Sequence, residues 1–206
     1  MSKTAGIQHI GLQYVVPNSI TTGGGIIDVS DEAAIAVFAH HCQVNNTDHM
    51  VAPPTYRVEA KYDSVEHWWP ITSWQPDRTA PANAELTTTA AAGSTTLNVD
   101  AIPAFWSIGE YCFLQHIIDA SPFDLTSSEF VRIKGYSGTT VSLFDATKIT
   151  HSVVPGNTIY LLNRAQQWVG HIDTKAIASL RVVIDASQCD KEFAAEVHIS
   201  VLDSNA

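Results

Sequence analysis

Charge is scarce in this chain. Only 16% of its 206 residues are charged, 21 acidic and 11 basic, for a net charge of −10. No run of lysine and arginine exists, so the chain lacks the phosphate contacts on which nucleic-acid affinity rests. Cysteine is scarce too. Cys42, Cys112 and Cys189 are an odd number, far apart and without CxxC spacing. That excludes a disulfide framework or a zinc knuckle and leaves buried free thiols in a reducing compartment. No apolar run approaches the roughly 18 residues of a membrane-spanning helix. The opening MSKTAGIQHIG lacks the apolar core of a secretory leader. The expectation is a soluble chain made in a cytoplasm, with no nucleic-acid and no membrane partner.

Catalytic signatures are missing as well. GxSxG, the phosphate-binding GxxxxGK[ST] and GxGxxG do not occur. Gly23, Gly24 and Gly25 precede a strand pattern without a following GK[ST], and read as a flexible turn. Glu66 and His67 are acid and base neighbours that a strand sends to opposite faces; His171 and Asp173 are a second such couple. His40, His41 and Cys42 are adjacent, with His49 nearby. On a strand His40 and Cys42 share one face and His41 opposes them, but no third and fourth ligand follow at a recognisable spacing. The residues therefore predict no enzyme, no cofactor and no metal site.

What the chain has in quantity is strand pattern. Residues 26–29, 35–44, 56–62 and 67–74 are short, β-branched or aromatic, and bounded by turn residues. In YRVEAKY, Tyr56, Val58, Ala60 and Tyr62 alternate with Arg57, Glu59 and Lys61, the mark of a half-buried strand. Residues 31–41 also permit a helix, since Asp31 and Glu32 suit a helix N-terminus; β-branching on to Val44 favours a strand. Residues 76–84, PDRTAPANA, break the pattern with two prolines. Further short strands are predicted at 95–99, 110–117, 129–134, 140–145 and 158–162, with turns at Ser137-Gly138 and Pro155-Gly156-Asn157. Longer ones follow at 167–173, 177–184 and 193–202. In the last, Phe193, Ala195, Val197, Ile199 and Val201 share a face, and Ala194, Glu196, His198 and Ser200 the other.

These strands predict an all-β chain with a discontinuous architecture. Residues 1–84 supply about four strands and 165–206 about three, together the roughly seven of one β-sandwich. Residues 85–164 then form an inserted small β-barrel or sandwich module, which requires its two ends to lie close together. Two domains in sequence, split near residue 85, is the rival arrangement.

The middle segment resembles a module that recurs in structural proteins of tailed bacteriophages, over about residues 86–162. The pieces that carry the resemblance are Leu86 to Val99 (LTTTAAAGSTTLNV), Phe105, Gly109-Glu110-Tyr111, Glu129 to Ile133, Ser137 to Leu143, Thr147 to His151 and Pro155 to Tyr160. They keep the order of the family pattern. One departure is QHIIDASPFDLTSS at 115–128, where the pattern turns quickly; it reads as an extra loop. The flanking halves have a vaguer likeness to phage virion sandwiches.

The resemblance implies a virion structural protein without enzymatic activity. A capsid decoration or cement protein on the outer face of the shell comes first, bound to the major capsid protein and self-associated as a homotrimer. A tail or neck component is the alternative; a carbohydrate-binding module, resting only on the tryptophans and not on the resemblance, is the alternative of another class. Candidate partner-binding residues are Ile10, Leu12 and Tyr14, on one face of an N-terminal strand, and Trp68 and Trp69. That strand precedes Pro17-Asn18 and the Gly-rich Thr21 to Gly25, and reads equally as a swinging arm that adds to a partner's sheet or as the first strand of its own sandwich. Strand geometry puts Trp68 and Trp69 on opposite faces, one in the core and one outside.

Overall fold

The computed structural model describes residues 7–32, 34–44, 50–63, 65–78, 83–104, 106–118, 125–154 and 158–202. Among them are fourteen strands and, as the only helical element, a 3-10 turn at Leu125–Ser127. The strands are β1 (Ile7–Val15), β2 (Ser19–Asp28), β3 (Ala34–Gln43), β4 (Thr55–Lys61), β5 (Trp69–Trp74), β6 (Asn83–Glu85), β7 (Thr96–Asn98), β8 (Tyr111–Ile118), β9 (Glu129–Ser137), β10 (Thr140–Leu143), β11 (Thr158–Arg164), β12 (Gln166–Asp173), β13 (Ser179–Ala186) and β14 (Phe193–Leu202). The chain divides into two compact units. One holds Met1–His41, Met50–Arg78 and Gln167–Ala206; the other holds Cys42–His49 and Thr79–Gln166.

The first unit is a sandwich of two four-stranded sheets, β1-β14-β3-β12 and β2-β13-β4-β5. Its core is built by alternation. Ile35, Val37 and Ala39 of β3, Tyr56, Val58 and Ala60 of β4, Leu180, Val182 and Ile184 of β13, and Phe193, Ala195, Val197 and Ile199 of β14 are all buried in one cluster. Residues 31–41 are strand from Ala34 onward, not helix. There are eight strands, not about seven, because the N-terminal region contributes both β1 and a long β2.

Those two strands correct the flexible-arm reading. β1 pairs with β14 from Ile7↔Ser200 to Val15↔Phe193, and Val15 is buried. Asn18 adopts φ 59° in the turn that follows, a conformation asparagine tolerates, and its amide donates to the Ala186 carbonyl at 2.9 Å. Thr21 to Gly23 then pair with Ile184 to Val182 of β13. Gly25, at φ 80°, lies beside the register shift between Leu180 and Val182. The Gly-rich stretch is therefore part of a paired strand with a bulge, a place where glycine is needed to turn the backbone.

The second unit is one six-stranded sheet, β6-β11-β8-β9-β10-β7. Its two edges meet. Leu86, just after β6, bridges Val99, just after β7. The Asp100 amide donates to the Glu85 carbonyl and the Thr87 amide to Asn98, both at 2.9 Å. The sheet thus curls onto itself as a small barrel, which satisfies edge groups that would otherwise template aggregation. Leu97 and Val99 point inward while Thr96, Asn98 and Asp100 are exposed. The extra sequence at 115–128 is not simply a loop: β8 runs on to Ile118, pairing with Thr158 of β11, and Leu125–Ser127 is the 3-10 turn. Residues 119–124 lie outside the described residues.

Candidate metal centre

Strand alternation places His40 of β3 on the face opposite Ile35, Val37 and Ala39. On β14 the same rule puts Glu196 and His198 opposite Phe193, Ala195, Val197 and Ile199. β3 and β14 are neighbours in the sheet, so residues from opposite ends of the chain meet. His198 Nε2 lies 3.1 Å and His40 Nδ1 3.6 Å from the same oxygen, Glu196 Oε2. The two rings are edge-on, with centroids 5.8 Å apart. Ligand atoms of all three residues fall within 4.8 Å of one another. His40 and Glu196 are buried, 4% and 8% exposed, and His198 is half-buried. Burial alone would raise the Glu196 carboxyl; hydrogen bonding and charge from His198 and His40 outweigh it and hold the group well below the usual carboxylate range.

The sequence predicted no metal site, and took the face bearing Glu196 and His198 merely as the one opposite the core. The signals present were His40 on a strand and Glu196-x-His198 on one face of another. What was missing was the adjacency of β3 and β14, which no local spacing encodes. The neighbours expected around His40 are elsewhere. His41 faces the core, its Nδ1 2.9 Å from the Tyr56 hydroxyl and its ring 4.7 Å from that of Phe193. Burial pushes its pKa down to about 3, so it is neutral at ordinary pH. Cys42 belongs to the other unit, where its Sγ donates to the Gln43 carbonyl at 3.4 Å and burial pushes its pKa well up. His49 is outside the described residues. All three cysteines are free and buried.

A second carboxylate–imidazole pair sits in the barrel. His151 Nε2 is 2.8 Å from Glu129 Oε1, and both are buried. The carboxylate also accepts the Lys148 amide at 3.0 Å and the Ile149 amide at 3.3 Å. Glu66 and His67 are exposed, as are His171 and Asp173 on β12.

The expected partner-binding residues scatter. Ile10 stands opposite Val197 in the β1–β14 register, and its side chain lies outside the described residues. A register shift follows between Ile10 and Gln13, so that Tyr14 stands opposite Ala194 and Val15 takes the core-facing place. This extra residue breaks the strict alternation expected of Ile10, Leu12 and Tyr14; Leu12 and Tyr14 are both half-buried. Trp68 precedes β5 and is half-buried under the Arg181 guanidinium, 4.5 Å from its ring. Arg181 in turn holds Glu59 with Nε at 2.8 Å. Trp69 is 54% exposed. Neither supplies the core tryptophan that was expected. Trp74 and Trp168 do that, stacked at 6.3 Å and 4° against the sandwich core. No protein-family model, no curated protein and no solved structure matches this chain.

Proposed function

We propose that the chain is a structural component of a tailed-phage virion, a decoration or cement protein that binds the major capsid protein on the outer face of the shell and stabilises it. One observation carries this reading: the pieces of the phage-module pattern, scattered over residues 86–162, hold one another. Ala90 and His151 exchange backbone hydrogen bonds at 3.0 and 2.8 Å. The Ser94 amide donates to Thr147 Oγ1 at 3.2 Å, and that hydroxyl donates to the Ala91 carbonyl at 2.9 Å. Arg132 Nε donates to the Gly109 carbonyl at 3.0 Å, and Thr140 Oγ1 to Asn98 Oδ1 at 2.9 Å. Gly93, Gly109 and Gly138 stand at φ 90°, 93° and 57°, where side chains are strained. The motif thus marks places the fold depends on, which supports reading it as a module rather than as chance composition.

A role in a shell fits a chain of short, strongly paired strands whose Arg–carboxylate contacts fasten neighbouring strands. Arg181 Nη2 lies 2.7 Å from Glu59, and Arg57 Nη1 3.0 Å from Asp185. Several copies of one modest contact, arranged by closed symmetry, are how such a protein gains avidity; a homotrimer is the assembly proposed. The test is negative-stain imaging of purified particles, with the protein present, absent and gold-labelled. Label spread over the shell is the expected result. Label at the tail or neck transfers the protein to the other virion site, and particles that never contain it overturn the reading.

A further inference from the structure

We propose that His40, Glu196 and His198 form a binding site for one divalent transition-metal cation, zinc foremost. Two imidazoles and one carboxylate are a donor set that suits zinc, with cobalt and nickel as substitutes. Calcium and magnesium, which take six or more oxygen ligands or keep their waters, do not fit it. The spacing agrees. With zinc-to-ligand bonds of about 2.0–2.2 Å, donors at the corners of a tetrahedron are about 3.3 Å apart. The two separations from Glu196 Oε2 are 3.1 and 3.6 Å. Both are close to the separation of two donors that share one ion. All three ligand atoms lie within 4.8 Å of one another, so side-chain movement alone, with the backbone fixed, is what closes them on a cation.

The scaffold favours the same occupant. Glu196 and His198 are two residues apart on β14, and His40 comes from the adjoining strand β3. Backbone ladders rather than loops therefore fix all three attachment points, which is what a preorganised site requires. Burying a carboxylate is costly without compensation, and a divalent ion held at Glu196 supplies that compensation directly. Three protein donors leave a fourth position for water or for an atom from outside, on the side where His198 is half-buried. The bound ion clamps β3 to β14, an early strand of the sandwich to the last of the described strands.

The test uses the full chain, free of any histidine tag and stripped with a chelator. Zinc chloride is titrated by calorimetry and cobalt chloride by visible absorption. The expected result is one saturable equivalent, the intense ligand-field bands of four-coordinate cobalt, and a higher thermal midpoint with zinc. His198→Ala and Glu196→Gln should each weaken binding at least tenfold. The exposed pair His67→Asn and His171→Asn should leave it unchanged. Circular dichroism checks that each variant is folded. If the unmutated protein shows no saturable equivalent, or if the surface variant alone abolishes it, the proposal is wrong.

Discussion

Glu129 shows what one side chain can hold. Its carboxylate accepts two consecutive backbone amides and faces the His151 ring, joining β9 to the segment that bridges Ala90. Burial pushes its pKa up, but the His151 hydrogen bond and the Lys148 and Ile149 amides together bring it below the ordinary 4.5. A carboxyl lowered on folding stabilises fully above about 4.5, and the contribution drains as pH falls below it. Glu129→Gln removes hydrogen bonds to a charged acceptor, so urea unfolding at pH 7 should show a loss of about 1.5–3 kcal/mol. No change in the denaturation midpoint would contradict that role. His41 works in a different window. Burial lowers it from 6.5 to about 3, so protonation favours the unfolded chain. Its contribution is whole above 6.5 and falls by about 1.4 kcal/mol per pH unit below that. His41→Phe places a ring among Tyr56, Trp74 and Phe193 without a titrating group. Its thermal midpoint should fall less between pH 7 and pH 5 than that of the unmutated chain; parallel slopes would refute the assignment. Both histidines were visible in the sequence, and alternation correctly separated His40 from His41. Their partners were not visible, because Glu196 and Phe193 reach them through sheet topology and not through spacing.

Strands with clean alternation were legible and the exceptions have physical causes. Tyr56, Val58 and Ala60 on β4 and Leu97 and Val99 beside β7 are buried where a two-residue period puts them. β1 was ambiguous because its sequence fits an arm and a sandwich strand equally, and because its register shift after Ile10 is invisible to a strict period. β6 was hidden in a proline-bearing break and is only three residues long. Trp68 was misplaced because it precedes β5, so the rule of opposite faces did not govern it. The pairing of β1 makes a firm expectation. Deleting residues 2–16 removes Val15 from the core and bares the flank of β14, and the truncated chain should lose its cooperative thermal transition. A truncated protein that melts normally would return β1 to the role of a detachable arm.

At the scale of the molecule, both ends of the 79–165 segment are tied. Trp74 and Trp168, flanking its departure and return, stack on each other, and within it Asn83 pairs with Asn163. Replacing 79–165 with a short Gly-Ser linker should therefore leave a β-rich chain that unfolds cooperatively, followed by Trp74 and Trp168 fluorescence; a molten product would show that the sandwich depends on the barrel. The central claim, that this chain grips a phage shell, meets its most direct test in a titration. Shells purified without the protein are mixed with increasing amounts of it, and bound copies per particle are counted. The account predicts saturation at a fixed copy number set by the shell lattice, with bound shells surviving heat that breaks bare ones. Binding that never saturates, or shells no tougher than before, would contradict it.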